Sequence, residues 1–146
     1  MKFRQQIAHM QVAHIYATLS YCNRMKVGCV IISPKGDRVM SIGYNGTPPG
    51  EDNNCECEKG LTKSNVIHAE DNALRKLEET TESAKDGYMF CTHSPCQPCA
   101  EKIKEAKIKQ FFYMTPYKDT APLTYLEQNG IQVTQLNITR DIINDK

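Results

Sequence analysis

The chain has 146 residues, the length of one ordinary globular domain, so we expect a single domain over residues 1–146. Its hydrophobic content of 40% and charged content of 24% are typical of a folded protein and exclude an intrinsically disordered one. The net charge of +1 and the lack of an arginine-rich stripe argue against a long nucleic-acid partner, whereas a small phosphate-bearing ligand needs only one or two cations.

The first half of the chain predicts a helix, a hairpin and a long loop. Apolar residues within 7–19 fall on one face of an opening helix. A β-branched run over 27–32, a turn and a second extended stretch over 38–43 predict the hairpin. Residues 44–65 are rich in Gly, Pro, Asn, Cys and Glu and show no periodicity, so they predict a long loop, which in a compact domain is usually functional or flexible.

The second half of the chain alternates between strand and helix patterns. Gly130 follows the last predicted helix, in a position that favours a left-handed glycine. The whole order of elements predicts the α/β class, with one sheet of five strands flanked by helices. The predicted segments are a helix from His68 to Leu77, a strand over 88–91, a turn over 92–95, a helix from Cys96 to Ala106, a strand over 108–114, a helix over 120–128 and a strand over 131–136.

No stretch approaches the roughly 20 apolar residues of a membrane span, and the first residues lack the apolar segment of a signal peptide. We therefore expect a cytoplasmic protein with no membrane partner. In such a chain, clustered cysteines are more often metal ligands or catalytic groups than disulfides, and this chain has seven cysteines. Cys29 and Cys91 lie within predicted strands and are expected to be small core residues.

Two short motifs carry metal-ligating side chains: His-Ala-Glu at 68–70 and Cys-Gln-Pro-Cys at 96–99. A His-x-Glu motif alone is common by chance and is typical of a surface polar pair. A Cys-x-x-Cys motif alone also occurs in zinc ribbons and redox sites. Together, each at the start of a predicted helix, they resemble the motif pair of the zinc-dependent nucleobase deaminases.

The two motifs contain the ligands for one catalytic zinc. Such a zinc takes three protein ligands and keeps a fourth position for water. His68, Cys96 and Cys99 supply three ligands. Cysteines three residues apart at a helix start lie on one face of the first turn, and the positive end of the helix favours their thiolate form.

Glu70 is the candidate catalytic residue. A zinc held by two thiolates acidifies water less than a zinc held by three neutral imidazoles, so a nearby base becomes important. Glu70 follows His68 by two residues and can lie beside the water without binding the metal. We expect it to take a proton from the water that attacks C4 of a cytosine ring, and then to deliver protons to N3 and to the departing ammonia.

From about Ser20 to Val133, the chain resembles the deoxycytidylate (dCMP) deaminase family. The zinc motifs are shared by all cytidine-deaminase-like proteins, whereas the pattern Gly-Tyr-Asn-Gly-x-Pro-x-Gly is much more selective. The matching stretches are CNRMKVG at 22–28, GYNGTPPG at 43–50, HAEDNA at 68–73 and SPCQPC at 94–99.

The resemblance implies a three-layer α/β/α sandwich around a mixed sheet, the cytidine-deaminase-like fold. It implies a zinc-dependent hydrolase that converts dCMP, a free nucleotide, to dUMP and ammonia. It also implies a homo-oligomer, often a hexamer, that is activated by dCTP and inhibited by dTTP. Small nucleotides, and not nucleic-acid polymers, are therefore the expected partners.

The resemblance also assigns roles by position. Asn45 and Gly46 correspond to residues near the sugar and base of the substrate, or to the effector site that the same stretch helps to form; a plain turn is the alternative. Tyr117 matches a tyrosine that contacts substrate, although a partly buried loop tyrosine would look the same. Arg24 and Lys118 are candidate cations for the phosphate, and solvated side chains are the alternative for both.

Several relatives hold a second, structural zinc with cysteines at the positions of Cys22 and Cys55. Cys57 is a third candidate ligand, and no histidine lies between Cys57 and His68. A closed structural site needs four ligands, and this chain offers three. The sequence is therefore compatible with either one or two zinc ions per chain.

Three other functions share part of this pattern. A deaminase that acts on a base within RNA or DNA would use the same zinc chemistry, but the near-zero charge and the absence of tryptophan count against it. A non-catalytic zinc module would have no use for Glu70. Activity on dCTP stays open, because the sequence pattern does not determine the number of phosphates.

Overall fold

The computed structural model describes residues 1–137. The described residues form four helices and five strands, in the predicted order. These elements are α1 (Phe3–Ala17), β1 (Gly28–Ile32), β2 (Val39–Tyr44), α2 (Ala69–Glu78), β3 (Tyr88–His93), α3 (Gln97–Glu105), β4 (Gln110–Thr115), α4 (Ala121–Gln128) and β5 (Gln132–Gln135). None of these helices has the length and apolar character needed to cross a membrane.

The five strands form one mixed sheet with the order β2-β1-β3-β4-β5. β1 pairs antiparallel with β2, because the short turn between them reverses the chain, and it also pairs antiparallel with β3. β3, β4 and β5 are parallel, because α3 and α4 return the chain to the same end of the sheet. The predicted five-stranded mixed sheet is confirmed.

Helices cover both faces of the sheet, which confirms the three-layer α/β/α sandwich. α1 covers one face, where Met10 packs with Val30 and Phe90. α2, α3 and α4 cover the other face and enclose a larger apolar core. Cys29 and Cys91 face each other across β1 and β3 and are fully buried, as predicted. Every residue of β1 is buried because this strand has a helix on each side, which explains its unbroken apolar sequence.

Gly43 allows α2 to approach the backbone of β2. A Cβ atom at Gly43 would lie 2.4 Å from the Ala69 carbonyl oxygen and 2.6 Å from the Ala73 amide nitrogen. The hydroxyl of Ser41 donates a hydrogen bond to the Ala73 carbonyl at 2.7 Å, which holds the helix in this place. The start of α2 therefore lies directly against the sheet.

β3 is longer than predicted. The turn expected over 92–95 begins only after His93, because β3 continues to pair with β4 up to the pair His93 and Thr115. The Thr92 side chain is buried, and its hydroxyl oxygen accepts a hydrogen bond from the Gly28 N–H at 3.1 Å. The strand therefore carries the chain from inside the fold directly to the Cys-x-x-Cys motif.

We expect Gly43→Ala to lower the free energy of unfolding by about 2–3 kcal/mol, because the added methyl group meets helix backbone and cannot be accommodated without moving α2. Urea denaturation followed by circular dichroism measures the change. Gly46→Ala is the matched control, since among the described residues a Cβ at Gly46 meets no atom within 4 Å. Equal stability of Gly43→Ala and the unaltered protein would contradict the close contact.

Candidate active site

Three metal-ligating side chains meet where α2 and α3 begin. His68 is the residue that caps the start of α2, and Cys96 caps the start of α3. Nδ1 of His68 lies 3.3 Å from Sγ of Cys96 and 3.4 Å from Sγ of Cys99. The three ligand atoms all lie within 4.8 Å of one another, so they can share one ion. The structure thus brings together the three residues that the motifs predicted as ligands, and we call them the ligand cluster.

A second contact joins the two helices beside the ligand cluster. The Asp71 carboxylate, in α2, accepts hydrogen bonds from Lys102 Nζ of α3 at 2.7 Å and from Arg75 Nε at 3.2 Å. Burial raises the pKa of Asp71, but the hydrogen bonds from Lys102 and Arg75 more than offset burial, so the pKa lies below its ordinary value. The carboxylate is therefore charged at neutral pH and connects the first turn of α2 to Lys102, in the last turn of α3.

The ionisation of the ligand cluster suits a divalent cation. Hydrogen bonding with Cys99, and then with His68, lowers the pKa of Cys96 to about 4, so Cys96 is a thiolate at neutral pH. Hydrogen bonding with Cys96 raises the pKa of His68 and also that of Cys99. The positive ends of two helices add to this preference for a thiolate. One imidazole nitrogen and two sulfurs form a donor set that fits zinc.

Glu70 is buried beside the ligand cluster. Its side chain belongs to the first turn of α2, and the residue is 3% exposed. Within residues 1–137, its carboxylate does not belong to the group of atoms that can share the ion with His68. Burial raises the pKa of Glu70 to about 7, because desolvation disfavours the charged form. A carboxyl group with this pKa can both accept and donate protons at neutral pH.

A cavity of about 460 Å³ opens onto the ligand cluster, and we call it the site cavity. Its volume is in the range of pockets that bind small ligands. The motif residues in its wall are His68, Ala69, Glu70, Cys96 and Gln97. The wall also contains four of the residues predicted to contact a nucleotide, namely Arg24, Asn45, Tyr117 and Lys118. Residues that the sequence analysis did not identify line it as well, among them Met25, Thr62, Val66, Asp119 and Pro122.

Asn45 lies between two cavities. It lines the site cavity and also a second cavity of about 240 Å³, whose wall includes Gly46 and Lys76. The side-chain oxygen of Asn45 accepts a hydrogen bond from the Val27 N–H at 2.9 Å, and its side-chain nitrogen donates to the Met25 carbonyl at 2.8 Å. The amide therefore holds the chain before β1 in place, a structural role that the sequence analysis did not identify.

Tyr117 lies in the loop after β4, and two residues near the Cys-x-x-Cys motif contact it. Its N–H donates a hydrogen bond to Oγ of the fully buried Ser94 at 2.8 Å, and its ring centroid lies 6.0 Å from that of His93. Burial raises the pKa of the Tyr117 phenol, so the hydroxyl is protonated at neutral pH. Neither Ser94 nor His93 was predicted to have a role, although Ser94 belongs to the matching stretch SPCQPC and His93 immediately precedes it.

Cys22 and Cys55 are buried and joined by a disulfide. For these two cysteines the structure differs from the expectation that clustered cysteines are ligands and not disulfides, because sulfurs in a disulfide have no thiolate to offer a metal. Cys57 is exposed and does not join the pair, since the chain turns there and the Gly60 N–H donates to its carbonyl at 2.9 Å. The two paired sulfurs and the Glu56 carboxylate lie within 4.8 Å of one another. Of the three candidates for a second zinc, the structure brings two together.

Comparison with known sequences gives one consistent result. A family profile described as "Cytidine and deoxycytidylate deaminase zinc-binding region" matches residues 3–115. The deoxycytidylate deaminase of Schizosaccharomyces pombe is 35% identical over an alignment that covers 86% of this chain, and that of Saccharomyces cerevisiae is 32% identical over 90%. The chain spans 42% and 45% of those two proteins, which is less than half of their length.

A solved structure resembles the whole described fold. It is the dCMP deaminase from the cyanophage S-TIM5 in complex with dCMP and dUMP, which is 38% identical and superposes with a TM-score of 0.89. The alignment covers 93% of this chain and 99% of that chain. The similarity thus extends over nearly all of both chains and confirms the fold that the resemblance implied.

We expect Glu70→Gln to stabilise the metal-free protein at alkaline pH. Because the folded-state pKa of about 7 lies above the ordinary value of 4.5, the unfolded chain loses the Glu70 proton first as pH rises. The penalty for burying the charge is absent below about pH 4.5, grows up to about pH 7, and is complete above it, where it reaches about 3 kcal/mol. Removal of the carboxylate should therefore raise the free energy of unfolding at pH 8 and leave it unchanged at pH 4.

Urea denaturation of chelator-treated protein at several pH values measures this difference. Glu78→Gln, an exposed carboxylate on the same helix, is the control and is expected to show no such pH dependence. A stabilisation by Glu70→Gln that does not change between pH 4 and pH 8 would contradict the assignment of the raised pKa.

Proposed function

Because this chain belongs to the cytidine and deoxycytidylate deaminase family, we propose that it hydrolyses dCMP to dUMP and ammonia. The proposal rests on the convergence of the ligand cluster with the buried Glu70 at the wall of the site cavity. dCMP is the favoured substrate for two reasons. The yeast relatives are named deoxycytidylate deaminases, and the phage enzyme was solved with dCMP and dUMP.

His68, Cys96 and Cys99 would hold the zinc ion. When bound there, zinc supplies Lewis acidity, which polarises a water molecule and lowers its pKa. Three protein ligands are typical of a catalytic zinc site, whereas a structural site uses four. Within residues 1–137 the ligand cluster has three, which supports a catalytic role over a purely structural one.

Glu70 would move protons between water and the substrate. The carboxylate takes a proton from the water whose oxygen bonds to C4 of the cytosine ring, and gives that proton to N3. A second proton, from the new hydroxyl on C4, passes through Glu70 to the exocyclic amine. The C4–N bond then breaks and ammonia leaves. The pKa of about 7 suits both steps, because carboxylate and carboxylic acid are both populated at neutral pH.

Other side chains of the site cavity would bind the nucleotide. Arg24 and Lys118 would bind the phosphate through charge-assisted hydrogen bonds, and the ring of Tyr117 would pack on the pyrimidine. Asn45 retains hydrogen-bonding capacity for the base or the sugar beyond the bonds it makes to the backbone. Two cations match a monophosphate of about two negative charges, and the nearby Asp119 disfavours the additional charge of a triphosphate.

We propose the second cavity as the regulatory site, where dCTP activates the enzyme and dTTP inhibits it. Its wall contains Lys76 for a phosphate and shares Asn45 with the site cavity. Asn45 also bonds to the backbone of Met25 and Val27, which lie in the wall of the site cavity. A ligand in the second cavity that moves Asn45 would therefore change the conformation of the site cavity. We further propose that the enzyme assembles as a homo-oligomer, with a hexamer as the expected form.

We expect Glu70→Gln to retain zinc and to lose about 10³-fold in kcat, because an amide cannot take up and return a proton. Release of ammonia from dCMP measures kcat, and elemental analysis measures zinc per chain. His68→Ala is the complementary variant and is expected to lose both zinc and activity. Turnover close to that of the unaltered enzyme in Glu70→Gln would contradict the catalytic role.

One zinc per chain is expected while the Cys22–Cys55 disulfide is intact, and two would indicate a second metal site.

A substrate panel of cytidine, CMP, dCMP and dCTP is expected to give the highest kcat/KM for dCMP. At subsaturating dCMP, a dCTP analogue should raise the rate and dTTP should lower it. Lys76→Ala should abolish both effects, because the second cavity then lacks its cation. Faster turnover of dCTP, or deamination of an oligonucleotide, would instead favour one of the alternative substrates.

A further inference from the structure

The segment between α1 and β1, residues 18–27, carries Arg24 to the wall of the site cavity without regular secondary structure. Such a segment has no repeating backbone hydrogen bonds, so individual contacts determine its position. Ser20 Oγ donates to the Asn45 carbonyl at 2.8 Å, and the disulfide holds Cys22. These contacts lie before Arg24 in the chain and do not involve its own backbone.

Glu56, in the loop between β2 and α2, binds the backbone at Arg24 itself. Its Oε2 accepts hydrogen bonds from the N–H groups of Asn23 at 3.2 Å and Arg24 at 3.3 Å, and its Oε1 accepts from Asn23 at 3.3 Å. Bonds to an ionised acceptor are stronger than bonds between neutral groups. In the described part of the chain, Arg24 lines the site cavity and Glu56 does not. Glu56 therefore contacts Arg24, which lines the cavity, and does not itself contact a ligand in that cavity.

We propose that Glu56 is a positioning residue for phosphate recognition, which holds the backbone at Asn23 and Arg24 so that the Arg24 guanidinium is presented to the phosphate of the nucleotide. The inference rests on the proposed function, in which Arg24 binds that phosphate. Arg24 is an exposed residue with a long, flexible side chain. Holding its backbone reduces the freedom that must be lost when the guanidinium closes on a phosphate.

The charge of Glu56 and its positioning role predict opposite effects on substrate binding. A carboxylate close to a phosphate-binding arginine repels the phosphate, so charge alone predicts that removal of Glu56 lowers the KM for dCMP. Positioning predicts that removal raises the KM, because Arg24 is no longer held. The sign of the change in KM therefore separates the two effects.

The test is a double-mutant cycle between Glu56 and Arg24 in the full chain, with kcat and KM for dCMP measured by ammonia release. Arg24→Ala is expected to raise the KM about 10–100-fold. Glu56→Ala is expected to raise the KM about 3–10-fold with kcat unchanged. The double variant should match Arg24→Ala, because Glu56 then has nothing to position. Glu58→Ala, an exposed carboxylate in the same loop, is the control and should change neither constant.

Two further variants separate positioning from damage to the fold. Glu56→Asp keeps the charge, but its shorter side chain moves the acceptor oxygens away from the backbone N–H groups of Asn23 and Arg24. It should therefore raise the KM like Glu56→Ala. If the alanine variant does not fold, Glu56→Asp replaces it in the test. Glu56→Gln keeps an acceptor oxygen and should restore most of the affinity. An unchanged or lower KM in Glu56→Ala and Glu56→Asp, or additive effects in the double variant, would overturn the positioning role alone. An unchanged KM in Arg24→Ala would overturn the assignment of Arg24 to the phosphate and with it the positioning role. No turnover of dCMP by the unaltered enzyme would overturn the proposed function itself.

Discussion

The site depends on the close approach of the N-terminal ends of α2 and α3, which brings Nδ1 of His68 next to the sulfurs of Cys96 and Cys99. Neither helix carries a complete ligand set, since α2 supplies His68 and α3 supplies Cys96 and Cys99. The meeting requires α2 to lie directly on the sheet, which the missing side chain of Gly43 allows. It also requires α3 to lie beside α2, and the contact between Asp71 and Lys102 joins the first turn of α2 to the last turn of α3. The same two helix ends favour the thiolate that a cation needs.

The burial of Glu70 suits the proposed chemistry and lowers the stability of the folded protein. Desolvation brings its pKa close to neutral pH, where a carboxyl group can exchange protons with a substrate. The same desolvation makes the charged form unfavourable in the folded protein. Active sites commonly hold such a conflict between local stability and function.

Loops form most of the wall of the site cavity, and single side chains hold them in place. Asn45 holds the chain before β1, Glu56 holds the backbone of Arg24, and Ser94 holds the backbone of Tyr117. In each case, a side chain fixes the backbone of a residue in the wall of the site cavity. A loop has no ladder of backbone hydrogen bonds, so these contacts replace the order that helices and strands have.

The sequence by itself determined the helices, the strands and the ligand cluster, because hydrophobic period and motif spacing are local properties of the chain. The tertiary structure alone decided that Cys22 pairs with Cys55 and that Glu56 contacts Arg24. Each of these contacts joins a loop to residues distant in the chain. A single hydrogen bond or disulfide between such segments leaves no periodic trace in the sequence, so only the packing of the whole fold brings the partners together.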